Sequence, residues 1–156
     1  MMLVTGADGL AREYLAARVP GYAPNANEVA ILAVNRGQAC GAVAYEGWTG
    51  PNIIMTCAGE GNWLTPGNLA GFFWYPFRQL DCQRVTALIH RKNKPSRTLC
   101  EKLGFKVEGV LRKAAPTGGD IIIYGLLRED CRWLAATGKT QWVSYGQIYP
   151  QSPAAA

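Results

Sequence analysis

The sequence predicts a layered α/β fold, with helices flanking one mixed sheet rather than a regular doubly wound arrangement. Two observations carry this. Three strand patterns, at 28–35, 39–45 and 52–58, follow one another with no helix between them. From Thr65 onward the order becomes helix, strand, helix, strand, strand, so one layer combines hairpins with crossovers.

A chain of 156 residues, 49% hydrophobic and 17% charged, is long enough to bury a sizeable core in a single domain. We place that domain at 1–136. The tail, 137–156, carries Trp142, Tyr145 and Tyr149 and is expected to fold back, pair with a second copy or stay loose. No apolar run reaches the roughly 20 residues that span a bilayer. The N-terminus also lacks a basic region followed by an apolar core and a cleavage site, so the expected location is the cytoplasm, away from membranes.

Five cysteines, at 40, 57, 82, 100 and 131, are odd in number and include no Cys-x-x-Cys pair, so reduced thiols and no metal site are expected. The net charge of +5 favours a polyanionic partner, either nucleic acid or a phosphate-bearing small molecule. The basic residues are scattered except around Arg91, Lys92, Lys94 and Arg97, with no aromatic-interleaved run, which ranks nucleic acid second. A solvated basic turn is the plain alternative for that cluster.

In chain order, Met1 to Thr5 reads as a short strand. Thr5-x-x-Asp8 then has capping-box spacing ahead of a helix carrying Leu10, Tyr14 and Ala17. Pro20-Gly21 ends it. The strands at 28–35 and 39–45 surround Asn35-Arg36-Gly37-Gln38 and form an antiparallel hairpin. The next strand runs from Asn52 to Ala58, and Cys57-Ala58-Gly59 has the glycine that marks a bulge. A helix from Pro66 to about Leu80 has Thr65 as N-cap and Pro66 in its first turn, with Leu69, Phe72, Phe73, Phe77 and Leu80 as its stripe. Pro76 interrupts it. Trp74 falls off the stripe, as a second contact surface such as a dimer interface or acceptor pocket, or as a half-covered surface aromatic.

The stretch Arg84 to Arg112 is the most informative. An apolar strand (Val85 to Ile89) leads through a polar break into a short amphipathic helix with Leu99 and Leu103 on one face and an Arg97–Glu101 i,i+4 pair on another. Gly104 closes it, and Phe105 starts the next strand. Ile121 to Leu127 is the last strand, followed by a short helical turn at Asp130 to Leu134.

Asn93, Ser96, Leu99, Gly104 and Phe105, with Glu108-Gly109 and Leu111-Arg112, resemble the second half of the GNAT acetyltransferase superfamily. The Asn-x-x-Ser spacing and the Gly-Phe-x-x-Glu-Gly-x-x-Arg tail are most similar to its ribosomal-protein N-terminal acetyltransferase branch. Trp-Leu-Thr at 63–65, Tyr-Pro-Phe at 75–77 and Cys-Arg-Trp-Leu at 131–134 resemble small phage- or prophage-associated members. The resemblance covers roughly residues 28 to 134. It implies a mostly antiparallel central sheet splayed between its fourth and fifth strands. The implied function is N-acetyltransfer from acetyl-CoA to a primary amine, by direct attack in a ternary complex, with a protein or peptide amine ahead of a small molecule.

Such an enzyme needs a pyrophosphate cradle, a groove for the pantetheine arm and a route for protons. Helix N-termini supply converging N–H donors, so Leu64, Thr65, Gly67 and Asn68 are the cradle candidates. The family's Gln/Arg-x-x-Gly-x-Gly/Ala pattern is not reproduced there. The resemblance puts Cys57 and Ala58 along the groove and Asn93 on the arm; Asn93 also reads as an Asx-turn. Ser96 and Arg97 complete the cofactor set, with Ser96 also a helix cap. Glu60 is the first choice of base and His90 the second, the latter also readable as a structural strand-end histidine. Cys100 stands where many members carry tyrosine and is either an acid or a buried packing thiol. The alternative reading is a non-catalytic GNAT-fold phage accessory protein that binds a host protein or nucleic acid.

Overall fold

A computed structural model describes residues 1–135 and 140–145. Expectations for 136–139 and 146–156 lie outside the described residues. Among the described residues, eight strands form one sheet in the order β6-β7-β5-β4-β3-β2-β1-β8. They are β1 (Met2–Thr5), β2 (Val29–Asn35), β3 (Gln38–Glu46), β4 (Asn52–Gly59), β5 (Arg84–His90), β6 (Lys106–Leu111), β7 (Ile121–Leu127) and β8 (Gln141–Ser144). The pairs β4–β5 and β1–β8 are parallel and the other five antiparallel. This is the mixed, mostly antiparallel sheet expected, with β8 added at the β1 edge. No helix among the described residues is long and apolar enough to cross a membrane.

Strand alternation splits the apolar residues between two faces. Ile31, Ala33, Val43, Tyr45, Ile53 and Val85 point to one face, under α2 (Pro66–Trp74) and α3 (Lys94–Leu103). Ala30, Leu32, Ala42 and Ala44 point to the other, under α1 (Asp8–Ala16). Small residues on the α1 side let that helix lie close. The β2–β3 hairpin closes in two residues because Arg36 (φ 51°) and Gly37 (φ 78°) both take positive φ, the pairing whose twist matches the strands.

Three local expectations are corrected. The buried positions of α1 are Ala11, Tyr14 and Leu15, an i, i+3, i+4 set, while Leu10 is exposed. Its N-cap is Ala7, without a side-chain cap, because Asp8 Oδ1 instead accepts from the Ala30 N–H at 2.8 Å and ties the helix start to β2. The Arg97–Glu101 pair is not direct: Arg97 Nε donates to the Tyr124 hydroxyl at 3.0 Å, which donates to Glu101 Oε1 at 3.3 Å. A buried tyrosine from β7 thus replaces the i,i+4 contact. Gly104 caps α3 in the left-handed conformation (φ 104°), as expected.

Pro76 widens the helix rather than stopping it. The α-helix ends at Trp74 and continues as one π turn, Tyr75–Gln79, with Leu80 N–H donating to Tyr75 O at 3.0 Å. The carbonyl of Phe72 would ordinarily receive the N–H of residue 76, which proline lacks. The fully buried Tyr45 supplies the donor instead, its hydroxyl 2.6 Å from Phe72 O. Tyr45→Phe is therefore expected to leave an unsatisfied carbonyl in the core and cost about 1–3 kcal/mol in denaturant unfolding. Tyr124→Phe, which orphans no core backbone group, is the control.

Candidate functional site

The site begins where β4 and β5 part. They pair only through Asn52–Arg84, Ile53–Val85 and Ile54–Thr86, yet β4 continues to Gly59 and β5 to His90. Beyond Ile54 and Thr86 the facing backbone edges have no strand between them. Exposure follows: Met55, Thr56, Cys57 and Ala58 are only part-buried, and Leu88 is 43% exposed although β5 is an interior strand. An extended, amide-bearing chain would find unpaired N–H and C=O groups along this gap.

The splay does not arise from a bulge at Cys57-Ala58-Gly59. The β3–β4 register runs unbroken from Glu46–Ile54 to Gly41–Gly59. Glycine stands at 41 and 59 for another reason. The Trp63 indole lies over this cross-strand pair, and a Cβ at either position would come within 2.2 Å of the ring. Trp63 is 5% exposed and packs on Phe72 at 5.5 Å between centroids. This seat carries the chain from β4 into α2.

At the start of α2, Thr65 Oγ1 accepts from Asn68 N–H at 3.2 Å. Asn68 is 1% exposed, and its Nδ2 donates to Trp63 O at 2.8 Å. Thr65 and Asn68 therefore build the turn. Pro66 has no N–H, so the first helical turn leaves Gly67 N–H as the donor without an intrahelical partner. The start of α2 therefore offers few unpaired backbone donors.

Asn93 caps α3 at the other side of the mouth. Its Oδ1 accepts from Ser96 N–H at 3.3 Å, and its Nδ2 has no partner among the described residues, so cap and free donor coexist in one side chain. Ser96 is part-buried in the first turn. Arg97 is committed elsewhere: besides Tyr124, it donates through Nη1 to Arg91 O at 3.1 Å.

Cys57 and Cys100 belong to the same cluster beneath α2 and α3. Burial pushes the Cys57 thiol up to about 11. Burial, with smaller contributions from Cys57 and Glu101, pushes Cys100 up to about 12. Neither is a thiolate at neutral pH. A donor this weak also loses its proton uphill to a departing thiolate of ordinary pKa, about 8.5.

The two remaining candidates stand apart from them. Glu60 follows β4 on the α1 face, where Arg18 Nε holds its Oε1 at 2.8 Å while the same guanidinium stacks 3.7 Å above the Tyr14 ring. His90 uses both ring nitrogens: Nδ1 accepts from Lys92 N–H at 3.1 Å, and Nε2–H donates to Gly118 O at 2.7 Å. It staples the β5–α3 turn to the β6–β7 loop. Cys57 and Cys100 thus share the cluster beneath α2 and α3, Ala58 packs on the α1 side, Gly67 stands at the start of α2 and Asn93 and Ser96 at the start of α3, while Glu60, His90 and Arg97 are held by Arg18, Gly118 and Tyr124.

Sequence reasoning missed Glu46. It ends β3 on the α1 face, opposite Ile54, the last residue of β4 paired to β5. Its carboxylate is part-buried and has no hydrogen-bond or ion-pair partner among the described residues. The signal was the alternation Ala42, Ala44, Glu46, which puts an acidic group on an otherwise apolar face.

No protein-family model matches the chain. Over 57 residues it is 44% identical to the SPbeta prophage-derived uncharacterized N-acetyltransferase YokL of Bacillus subtilis, a match covering 35% of this chain. The matched stretch spans 32% of that protein, about a third of its length. Among solved structures, a spermidine N-acetyltransferase SpeG chimera from Vibrio cholerae and hSSAT superposes with a TM-score of 0.69 at 12% identity, covering 86% of this chain and 99% of that one. Mycobacterium smegmatis RimJ in complex with CoA-disulfide superposes with a TM-score of 0.60 at 14% identity, covering 88% and 86%.

Proposed function

We propose that this chain, which has the fold of the GNAT acetyltransferases, moves an acetyl group from acetyl-CoA to a primary amine by direct attack in a ternary complex. The observation that carries this reading is the parting of β4 and β5 after Ile54 and Thr86, flanked by the N-termini of α2 and α3. The residues fit the donor. The unpaired strand edges suit the amides of a pantetheine arm, Asn93 Nδ2 is the donor proposed for that arm, and the N–H of the buried Gly67 at the start of α2 is the donor proposed for the phosphate end. Acetyl-CoA supplies a thioester carbonyl already activated for attack. The chain supplies alignment, and approximation of this kind lowers barriers without a dedicated acid.

A protein or peptide amine, the ribosomal-protein branch and a phage setting are the finer parts of the proposal. The prophage origin of YokL supports the last. A cytoplasmic location and a homodimer are also proposed. The sparse cradle, with Pro66 in place of a donor, favours a second reading, a non-catalytic protein of this fold that binds a host protein or nucleic acid.

Calorimetric titration with acetyl-CoA tests the proposal, using Asn93→Asp beside the wild type. Aspartate keeps the oxygen that caps Ser96 N–H and replaces the free amide donor with a carboxylate. The expected result is saturable binding by the wild type, weakened several-fold to about 10-fold in the variant, in line with a neutral hydrogen bond of roughly 0.5–1.5 kcal/mol, at little change in Tm. A folded wild-type protein that does not bind acetyl-CoA would overturn the reading in favour of the second.

A further inference from the structure

Eleven acidic residues occur in the chain, and almost all of those held near the sheet have a protein partner. Glu28 pairs with Arg12, Glu60 with Arg18, Asp81 with Arg128, Glu108 with Arg84 and Asp120 with Arg91. Asp8 and Glu101 accept from Ala30 N–H and the Tyr124 hydroxyl. Glu13, Glu129 and Asp130 are exposed. Glu46 alone among the described residues is part-buried and unpartnered, and nothing in the fold explains why a carboxylate stands there.

Its place is specific. Glu28, Glu46, Ile54 and Thr86 lie on the α1 face, and Glu46, Ile54 and Thr86 form one rung across three strands. That rung is the floor of the splay. With strands about 4.8 Å apart, Glu46 sits roughly 5 Å from the β4 backbone and roughly 10 Å from β5. A glutamate side chain there reaches the mouth of the gap directly or through one water, from the face opposite α2 and α3.

Behind it lies a second, independent observation. Glu28 is 3% exposed, its side chain 0%, and its Oε2 has no hydrogen-bond partner. Its Oε1 receives the Tyr22 hydroxyl and stands 3.3 Å from Arg12 Nε. The part-buried Arg12 thus pairs with Glu28 alone, and the buried Glu28 carboxylate, with Oε2 unpartnered, lies near enough to Glu46 to raise its carboxyl.

We propose that Glu46, backed by Glu28, receives the acceptor amine as its ammonium and takes its proton, so that the acceptor is a cationic amine entering on the α1 face. This rests on the acetyltransferase reading above. The step balances: the N–C bond forms, the C–S bond breaks, and of the two protons the ammonium loses, one goes to Glu46 and then solvent, the other to the departing sulfur. Burial, and then Glu28, hold the Glu46 carboxyl above its ordinary range, which makes it a better base than a free carboxylate. Tyr22, in the loop after α1, also feels the Glu46 charge, and on the β5 side of the rung Arg84 donates to Thr86 Oγ1 and pairs with Glu108, while Arg12 on α1 pairs with Glu28.

The test compares wild type, Glu46→Gln and Glu46→Asp by acetyl-CoA calorimetry, by transfer to spermidine and to an alanine-initiated peptide, and by thermal unfolding. A carboxyl raised in the folded state costs stability as pH rises through its folded value. Glu46→Gln should therefore melt no lower than wild type at pH 7, with any gain disappearing below the ordinary carboxylate range. Expected are an unchanged acetyl-CoA Kd, a kcat/KM lower by about 100-fold or more in Glu46→Gln, and partial rescue by Glu46→Asp. Equal transfer by wild type and Glu46→Gln would overturn the inference alone. So would a wild type that binds acetyl-CoA and acetylates neither amine. A wild type that does not bind acetyl-CoA would overturn both readings.

Discussion

Trp63→Ala is expected to cost about 3–5 kcal/mol of stability and to abolish measurable acetyl-CoA binding. The indole is almost fully buried and fills the space over Gly41 and Gly59 that any other residue pair would occupy. Its backbone carbonyl also receives Asn68 Nδ2 at 2.8 Å, which fixes the turn presenting Gly67. Truncation therefore opens a cavity beneath the loop and frees the helix start. Denaturant unfolding reads the first effect, and calorimetry under conditions where the variant stays folded reads the second. Gly59→Ala is the converse probe. Its Cβ would overlap the ring at 2.2 Å, so the indole must move and the loop with it. If either variant bound acetyl-CoA as the wild type does, the loop would owe its position to something other than this seat.

The elements were legible because their patterns are local. Ile121–Leu127 and Lys94–Leu103 follow directly from β-branched runs and from a cap, an amphipathic face and a terminal glycine. The β4–β5 splay was legible only through the resemblance around Asn93. Period-2 alternation shows that Met55 to Ala58 form a strand and says nothing about which neighbour is missing. The glycine at 59 was read as a bulge because a sequence shows where a side chain is absent and not what occupies the space. Glu60 and His90 stand out in the sequence by residue type, but their partners, Arg18 and Gly118, lie 42 and 28 residues away and are invisible in one dimension. Glu46 escaped notice because its significance is the lack of a partner. Cys100 was open between acid and packing residue, and only its surroundings, which raise the thiol to about 12, bear on the choice.

Arg12→Met is expected to destabilise the protein by about 3–5 kcal/mol, because it strands the Glu28 carboxylate inside the protein. Arg12 gives Glu28 its guanidinium at 3.3 Å and donates through Nη2 to the Glu28 carbonyl at 3.0 Å; the methionine keeps the apolar stem and loses both. Removing the charge as well should restore most of the loss, since an apolar pair of similar volume in place of a buried ion pair is often neutral or better. Arg12→Met/Glu28→Leu is thus expected to unfold close to wild type, with a coupling energy that a double-mutant cycle reads directly. The double variant also separates structure from recognition. If Glu28 only neutralises Arg12, the restored protein should acetylate a cationic amine as the wild type does. If Glu28 also supplies the field behind Glu46, the restored protein should keep its stability and its acetyl-CoA affinity while its KM for the amine rises. Stability kept alongside a raised amine KM in the double variant would assign the Arg12–Glu28 pair a part in acceptor recognition; an unchanged KM would leave it a structural pair.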